Sequence, residues 1–334
     1  DARQWNKYRQ ELVLQCMLEQ GMISQAEHDE AVAQELVFVR AEGQDDGTEI
    51  YTWYEETVRS DVKKALASQY GWSDAISEQV LSQGGLRIYT CYDPDIQAVV
   101  DEIYTNRENL NYTSKNGQLM QSTIAVIDNQ THNLVAIAGQ FGDKTVNLGS
   151  NYANGDGNRS PGSSFKPLAV YAPALEFNQI TPYSVIDDYP YQVMGGKAWP
   201  VNNGTTHYRG YLTVLEAVQR SLNTVAVRIL GDLVTPEESF NFVQDRFHID
   251  LEEGRMVYGE WKDDYTLSMA LGGLTNGTNV RDMAEAYAVF PNGGYYSSSR
   301  TFTRVTQVVN GVEQPLLEVL PEEEEVLKPQ TAWY

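Results

Sequence analysis

At 334 residues, 42% hydrophobic and 21% charged, the chain has the length and composition of globular material with one large or two modest cores. Lys+Arg is 24 against Asp+Glu 46, a formal net charge of −22, and a field of that sign repels phosphate backbones and anionic lipid, which argues against nucleic acid and membrane surfaces as partners. There is no run of about 18 apolar residues and no basic-then-apolar leader, so the chain reads as soluble as written, with room for an anchor ahead of Asp1 in a longer precursor.

Residues 8–36 read as two helices. "YRQELVLQCMLEQG" is apolar at Leu12, Val13, Cys16 and Met17, with Gly21 as its stop. "SQAE" (Ser24 to Glu27) has the capping-box pattern and "HDEAVAQEL" continues the second helix. The polar stretch "AEGQDDGTE" at 41–49 reads as a linker. "WYEETVRSDVKKALASQYG" and "SDAISEQVLSQGG" predict two more helices. "LRIYTCYDPDIQAVVDEIY" switches from strand to helix, with Asp93 as cap and Pro94 at the first helical position, where a missing N–H costs nothing. "STIAVID" and "NLVAIAG", joined by "NQTH", predict a hairpin. "DKTVNLGSNYANGDGN" is a loop, and the chain beyond it is predicted mostly helical to about residue 290. "RTFTRVTQVVNG" is strand-like, and the acidic run Glu322 to Glu325 is a solvated loop. Cys16 and Cys91 are expected as buried thiols. His28, His132, His207 and His248 show no metal-ligand spacing, so neither a metal nor a cofactor is expected.

The loop leads into "RSPGSSFKP", Arg159 to Pro167. Pro161-Gly162 signals a turn, and "SSFKPLAVYAPALE" then has helical apolar spacing, so Ser163 stands at the start of a helix. Lys166, three residues on, shares its face one turn away, within reach of the hydroxyl. A serine needs an adjacent base to act as nucleophile, and a lysine neutralised by burial can serve. The helix N-terminus adds N–H groups for a developing oxyanion. The residues therefore suggest a Ser–Lys acyl-transfer site. Ser60 and Lys63 repeat the spacing inside an ordinary amphipathic helix with no turn before the serine, and are read as structural. Pro173, ten residues into the nucleophile helix, is expected to kink it.

A second constellation is Ser221-Leu222-Asn223, between two helical segments of "YRGYLTVLEAVQRSLNTVAVRILG". "TVLE" (Thr213 to Glu216) is a capping box for the first segment, and Asn223 or Thr224 would cap the second, which stops at Gly231. A break between helices projects short polar side chains into a cleft. Ser114-Lys115-Asn116 has the same pattern in a polar loop and reads as a surface turn.

With these two elements in place, the chain resembles the penicillin-binding proteins, whose three-part signature is Ser-x-x-Lys, Ser-x-Asn and Lys-Thr-Gly. The resemblance implies an α+β fold, the penicillin-binding-protein transpeptidase (serine β-lactamase-like) fold, with an antiparallel sheet flanked by helices. It implies that Ser163 is the nucleophile and Lys166 its base, that Ser221 relays protons, and that Asn223 binds the substrate's peptide and helps hold Lys166. The third element is absent: Lys144-Thr145 is followed by valine and precedes the nucleophile. By resemblance the chain stops at Tyr334 before that motif, as a truncated or cleaved fragment lacking its C-terminal strands, with a second chain as another possible source of them. The missing strand would supply a substrate-carboxylate anchor and one oxyanion donor, a loss of about a hundred- to a thousandfold in rate for such a donor.

"RQELVLQCMLEQGMISQAEHDEA" resembles the closing helices of the glycosyltransferase domain in the bifunctional class A members, and "GGLRIYTCYDPDIQ" their approach to the transpeptidase module. The implied organisation is residues 1–48 as those helices, 49–118 as an interdomain linker region and 119–334 as an incomplete transpeptidase domain. The implied activity is D,D-transpeptidation, cross-linking peptidoglycan stem peptides ending in D-Ala-D-Ala through a Ser163 acyl-enzyme, with β-lactams acylating the same serine. A hydrolase on the same scaffold, a carboxypeptidase or β-lactamase, is the alternative, as is a non-catalytic fragment. An extracytoplasmic location on the bacterial cell membrane follows from the resemblance alone.

Overall fold

The computed structural model describes residues 2–34, 49–204 and 207–334, with residues 2–6 as backbone only. It divides into two compact units, Asp1–Glu49 and Ile50–Tyr334. Most of the predicted linker at 41–49 lies outside the described residues.

The first unit is a helix pair, α1 (Ala2–Glu19) and α2 (Gln25–Ala33). The box at Ser24 is reciprocal: Glu27 N–H donates to Ser24 Oγ (3.3 Å) and Ser24 N–H to Glu27 Oε2 (2.7 Å). Gly21, at φ +69°, turns the chain after α1. The expectation of a buried Cys16 is wrong. Cys16 is exposed and Leu12 and Val13 are half exposed, because within the pair each helix buries only the stripe that faces its neighbour.

The second unit opens with α3 (Trp53–Tyr70), closed by Gly71 in the left-handed region. Tyr54, Val58, Val62 and Leu66 recur every four residues along its buried face. Below it, β1 (Leu86–Thr90) pairs with the strand Phe302–Val309, which pairs in turn with Val312–Glu318, all antiparallel. Asn310 and Gly311, both at positive φ, make the hairpin turn between the last two. The predicted hairpin of β2 (Ile124–Asp128) and β3 (Asn133–Ala138) forms, and β3 joins the three-stranded sheet through an isolated bridge between Asn133 and Arg300. Tyr54 ties the helix to both, its single hydroxyl proton facing Leu134 O (2.7 Å) with Thr301 O close by (3.1 Å). On the other side, α5 (Pro94–Thr105) packs Val100 against Ala136 and Ala138. Its cap is as predicted, Asp93 Oδ1 accepting from Asp95 and Ile96 N–H. Between β1 and α3 lies α4 (Asp74–Gln83). The result is a three-stranded antiparallel sheet and an antiparallel hairpin, linked by the parallel Asn133–Arg300 bridge and flanked by helices.

The region predicted as mostly helix contains short strands as well. Val185–Asp188 pairs with Gly210–Thr213, and two tight hairpins occupy 192–199 and 255–262. Strands of three or four residues fall below any periodic signal, although "MGGK" and "VYGE" carry the turn chemistry. At the far end, Glu324–Glu325 pairs with Tyr295–Tyr296, so half of the acidic run is strand, with its side chains still exposed. Among the described residues no helix is long and apolar enough to cross a membrane.

The second and larger core surrounds the helical segment that follows Ser163. It is built from Phe165, Leu168, Ala169 and Val170, from α8 (Asn223–Ile229) and from α9 (Pro236–Phe247). Two prolines shape this helix. It begins as a 3₁₀ turn, Gly162–Phe165, widens to a π turn over Pro167–Tyr171, and becomes regular only in α6 (Ala172–Glu176). Lys166 N–H donates to Ser163 O, so the missing N–H of Pro167 leaves no carbonyl orphaned. Pro173, where the sequence predicts a kink, lies in the first turn of α6, directly after that π turn. In a regular helix Ala169 O would receive the N–H of residue 173, which proline lacks, and the buried Ser239 hydroxyl of α9 donates to it instead. Ser239→Ala is therefore expected to cost about 1–3 kcal/mol of stability by stranding a buried carbonyl. Urea unfolding would measure it, and a change below a few tenths of a kcal/mol would show that the carbonyl finds another donor.

Candidate active site

Gly162, at φ +60°, makes the turn that starts the helical segment carrying Ser163 and Lys166. Its backbone is pressed against Gly272, where a Cβ would overlap it. Ser164 is pinned on both sides, its hydroxyl donating to Pro161 O (2.7 Å) and its carbonyl accepting from Tyr287 OH (2.6 Å). Ser163, on the exposed side of this fixed turn, makes no side-chain hydrogen bond to the described residues.

Lys166 points inward and is 2% exposed. Its ammonium has three donors and three oxygens around it: Asn223 Oδ1 at 2.6 Å, Ser221 O at 2.7 Å and Ser221 Oγ at 3.1 Å. No carboxylate pairs with it among the described residues, and burial alone lowers its pKa to about 8. The structure thus brings together three of the four predicted site residues, Lys166, Ser221 and Asn223. Ser163 lies one turn away, and the expected contact between its hydroxyl and Lys166 is not formed.

Ser221 sits where α7 (Val214–Gln219) gives way to α8. Its φ of +50° is unusual for a residue with a Cβ and costs on the order of 1 kcal/mol. The left-handed turn aims both its carbonyl and its hydroxyl at Lys166. Thr213 caps α7 by accepting from Glu216 N–H (3.2 Å).

The predicted cap of α8 is corrected. Neither Asn223 nor Thr224 caps that helix: Leu222 occupies the cap position without a side-chain bond, and Asn223 is its first residue. The Asn223 side chain is already committed, its Oδ1 to Lys166 and its Nδ2 to Val201 O (2.8 Å). Asn202 caps from a distance, its Oδ1 accepting from Asn223 N–H (2.8 Å) and Thr224 N–H (3.3 Å). Behind it, Asp188 is fully buried. It accepts from Asn202 Nδ2 (2.7 Å), from Arg209 N–H (2.8 Å) and from the Thr224 hydroxyl. Nor does α8 stop at Gly231. It runs on as a π turn to Val234, and Thr235 at φ +76° ends it.

The look-alike motifs are occupied elsewhere. Ser60 lies within α3, and Lys63 pairs with Asp74 (3.1 Å). Ser114 closes a turn by accepting Gln118 N–H (3.1 Å). Lys144, of the Lys-Thr pair, is ion-paired with the buried Glu56 (2.8 Å).

Residues 122–334 match the family model described as the penicillin binding protein transpeptidase domain. The chain belongs to the penicillin-binding protein transpeptidase family. Among its curated relatives, penicillin-binding protein 1A of Clostridium acetobutylicum is 32% identical over 298 residues, 85% of this chain and 35% of that protein. Its counterpart in Clostridium botulinum is 29% identical over 337 residues, 97% of this chain and 39% of that protein. The chain therefore spans about two fifths of the length of these class A relatives. The same transpeptidase fold is seen in PonA1 of Mycobacterium tuberculosis, with a TM-score of 0.65 at 22% identity, covering 83% of this chain and 67% of that one. A second structure of PonA1, in complex with penicillin V, has a TM-score of 0.64.

Proposed function

We propose that the chain carries a D,D-transpeptidase centre in which Ser163 is acylated by stem peptides ending in D-Ala-D-Ala, and by β-lactams. The observation that carries this reading is Lys166: a buried amine near neutrality, held by oxygens alone and one helical turn from an exposed serine. Once deprotonated, Lys166 accepts the Ser163 proton as Oγ attacks the penultimate D-alanine carbonyl. The C–N bond to the terminal D-alanine breaks, and the proton reaches the leaving amine through Ser221 Oγ, 3.1 Å from Lys166 Nζ. An acceptor amine then attacks the ester, forms the cross-link and returns the proton to Ser163. Asn223 holds Lys166 through Oδ1 and offers to the substrate's peptide the Nδ2 N–H that Val201 O does not take. A β-lactam follows the first half, its leaving nitrogen remaining tethered. The similarity to penicillin-binding protein 1A relatives supports a class A assignment; residues 1–48 as the closing helices of a glycosyltransferase domain and an extracytoplasmic location belong to the same proposal.

Incubation with a stem peptide and a free-amine acceptor, followed by mass spectrometry of the products, tests the reaction. D-Alanine release with an amide-linked product is expected. Hydrolysed peptide alone would make the centre a carboxypeptidase, and unchanged peptide on folded protein would sink the proposal for this chain.

A further inference from the structure

A cleft of about 600 Å³ opens beside the loop that leads into the nucleophile helix. Its wall is a two-residue antiparallel bridge in which Arg159 N–H donates to Thr278 O and Thr278 N–H to Arg159 O, both at 2.9 Å. Gly277, at φ +71°, permits that approach, since a Cβ there would collide with the Arg159 backbone. The bridge therefore fixes the backbone from which two side chains project.

Those side chains are unsatisfied in complementary ways. Thr278 is 6% exposed, and its buried hydroxyl has no hydrogen-bond partner among the described residues. Buried hydroxyls are ordinarily paired, so an orphan on a cleft wall points to a missing ligand. Arg159 is exposed and pairs with no carboxylate or ring among the described residues, although the chain holds 46 acidic residues. Its planar fork of donors matches a carboxylate. Gln118 and Asn158, which also line the cleft, have side-chain amides free of hydrogen bonds to the described residues. The carboxylate of Asp156, in the same lining, accepts Asn151 N–H (3.1 Å) within its own turn.

We propose that this cleft binds a peptide carboxylate. Arg159 takes the carboxylate in a bidentate pair, and the Thr278 hydroxyl and the two amides take the adjoining peptide groups. The stem-peptide reading of Ser163, four residues beyond Arg159 in the chain, makes a second such peptide the occupant to test. That last identification rests on the acyl-transfer reading of Ser163, whereas the carboxylate site does not.

The test keeps the two apart by using Ser163→Ala protein, in which no turnover occurs. N-acetyl-D-alanine and its uncharged amide are titrated while backbone NMR shifts are followed. The acid is expected to bind roughly tenfold more tightly than the amide, the size of one charge-assisted pair. Arg159→Gln should abolish that difference and leave amide binding unchanged, and Thr278→Val should weaken both several-fold. Equal binding of acid and amide, or acid binding indifferent to Arg159→Gln, overturns the site. Benzylpenicillin adduct formation by the wild-type chain, measured separately, reports on the acyl-transfer reading alone. Its absence with acid preference intact leaves the carboxylate site standing.

Discussion

Benzylpenicillin is expected to leave a single covalent adduct on this chain, which Ser163→Ala abolishes and Lys166→Met slows by roughly 10²- to 10⁴-fold, the range for losing a general base. Intact-mass spectrometry over a time course separates the two variants: no adduct at any time for the first, and a slow approach to full labelling for the second. The pH profile carries a sharper signature. Lys166 titrates at about 8 because burial disfavours its ammonium. The neutral amine is the base, so acylation should rise about tenfold per unit below that value and flatten by about pH 9. The same shift has a linked effect on stability. Between the folded value of about 8 and the ordinary 10.5, the unfolded chain binds the extra proton. Lys166 therefore adds stability as pH rises through that window, and below it the folded state bears a buried charge. A flat acylation profile from pH 6 to 9, or fast labelling of Lys166→Met, would remove Lys166 from the reaction.

Acylation also asks something of the geometry. The three oxygens around Lys166 Nζ match the three donors of the ammonium. Taking a proton from Ser163 requires the amine to give up a proton and turn a lone pair outward. Loss of that proton removes a donor, and Ser221 Oγ, the longest of the three contacts, is the natural one to release or reverse. In the proposed mechanism, deprotonation thus frees the serine that would act as relay. The arrangement explains why the left-handed strain at Ser221 is tolerated, since a right-handed turn would continue α7 and carry both oxygens away from the lysine.

Ser163 and Lys166, and Ser221 and Asn223, can be picked out as candidates from the sequence because each pair is local, and the structure joins Lys166 to the second pair. A turn signal, a helical run and a three-residue spacing place two side chains near each other without reference to the rest of the chain. The hairpin of β2 and β3 and the cap at Asp93 were readable for the same reason. The support was not. Asp188 and Asn202 meet Thr224 across 36 and 22 residues, and nothing in "IDDYP" or "PVNNG" says which polar side chain will be buried. The cap of α8 was misread because the local rule gives Asn223 to its own helix, whereas the ammonium of Lys166 competes for the same oxygen and wins. Cys16 failed differently: apolar spacing marks a face to be covered and does not say that a covering layer is present.

Asp188→Ala is expected to damage the site without touching any residue assigned to the chemistry. The carboxylate is fully buried, and three donors converge on it: the Asn202 amide, the Thr224 hydroxyl and the Arg209 N–H. Hydrogen bonds to a charged acceptor are each worth about 1.5–3 kcal/mol, and donors stranded in the interior cost more. The loss should be on the order of 3 kcal/mol or above, visible as a lowered denaturant midpoint at unchanged slope. Its consequence for chemistry follows from the chain of contacts. Without Asp188 the Asn202 amide is no longer oriented, the first two N–H groups of α8 lose their cap, and Asn223 is no longer held against Lys166. Acylation should therefore fall even at temperatures where the variant stays folded. Asp188→Asn, which keeps the shape and one acceptor, should recover much of the stability and part of the rate. If Asp188→Ala loses stability but acylates at the wild-type rate when folded, Asn223 is positioned by Val201 and Lys166 alone, and the network behind it serves the fold only.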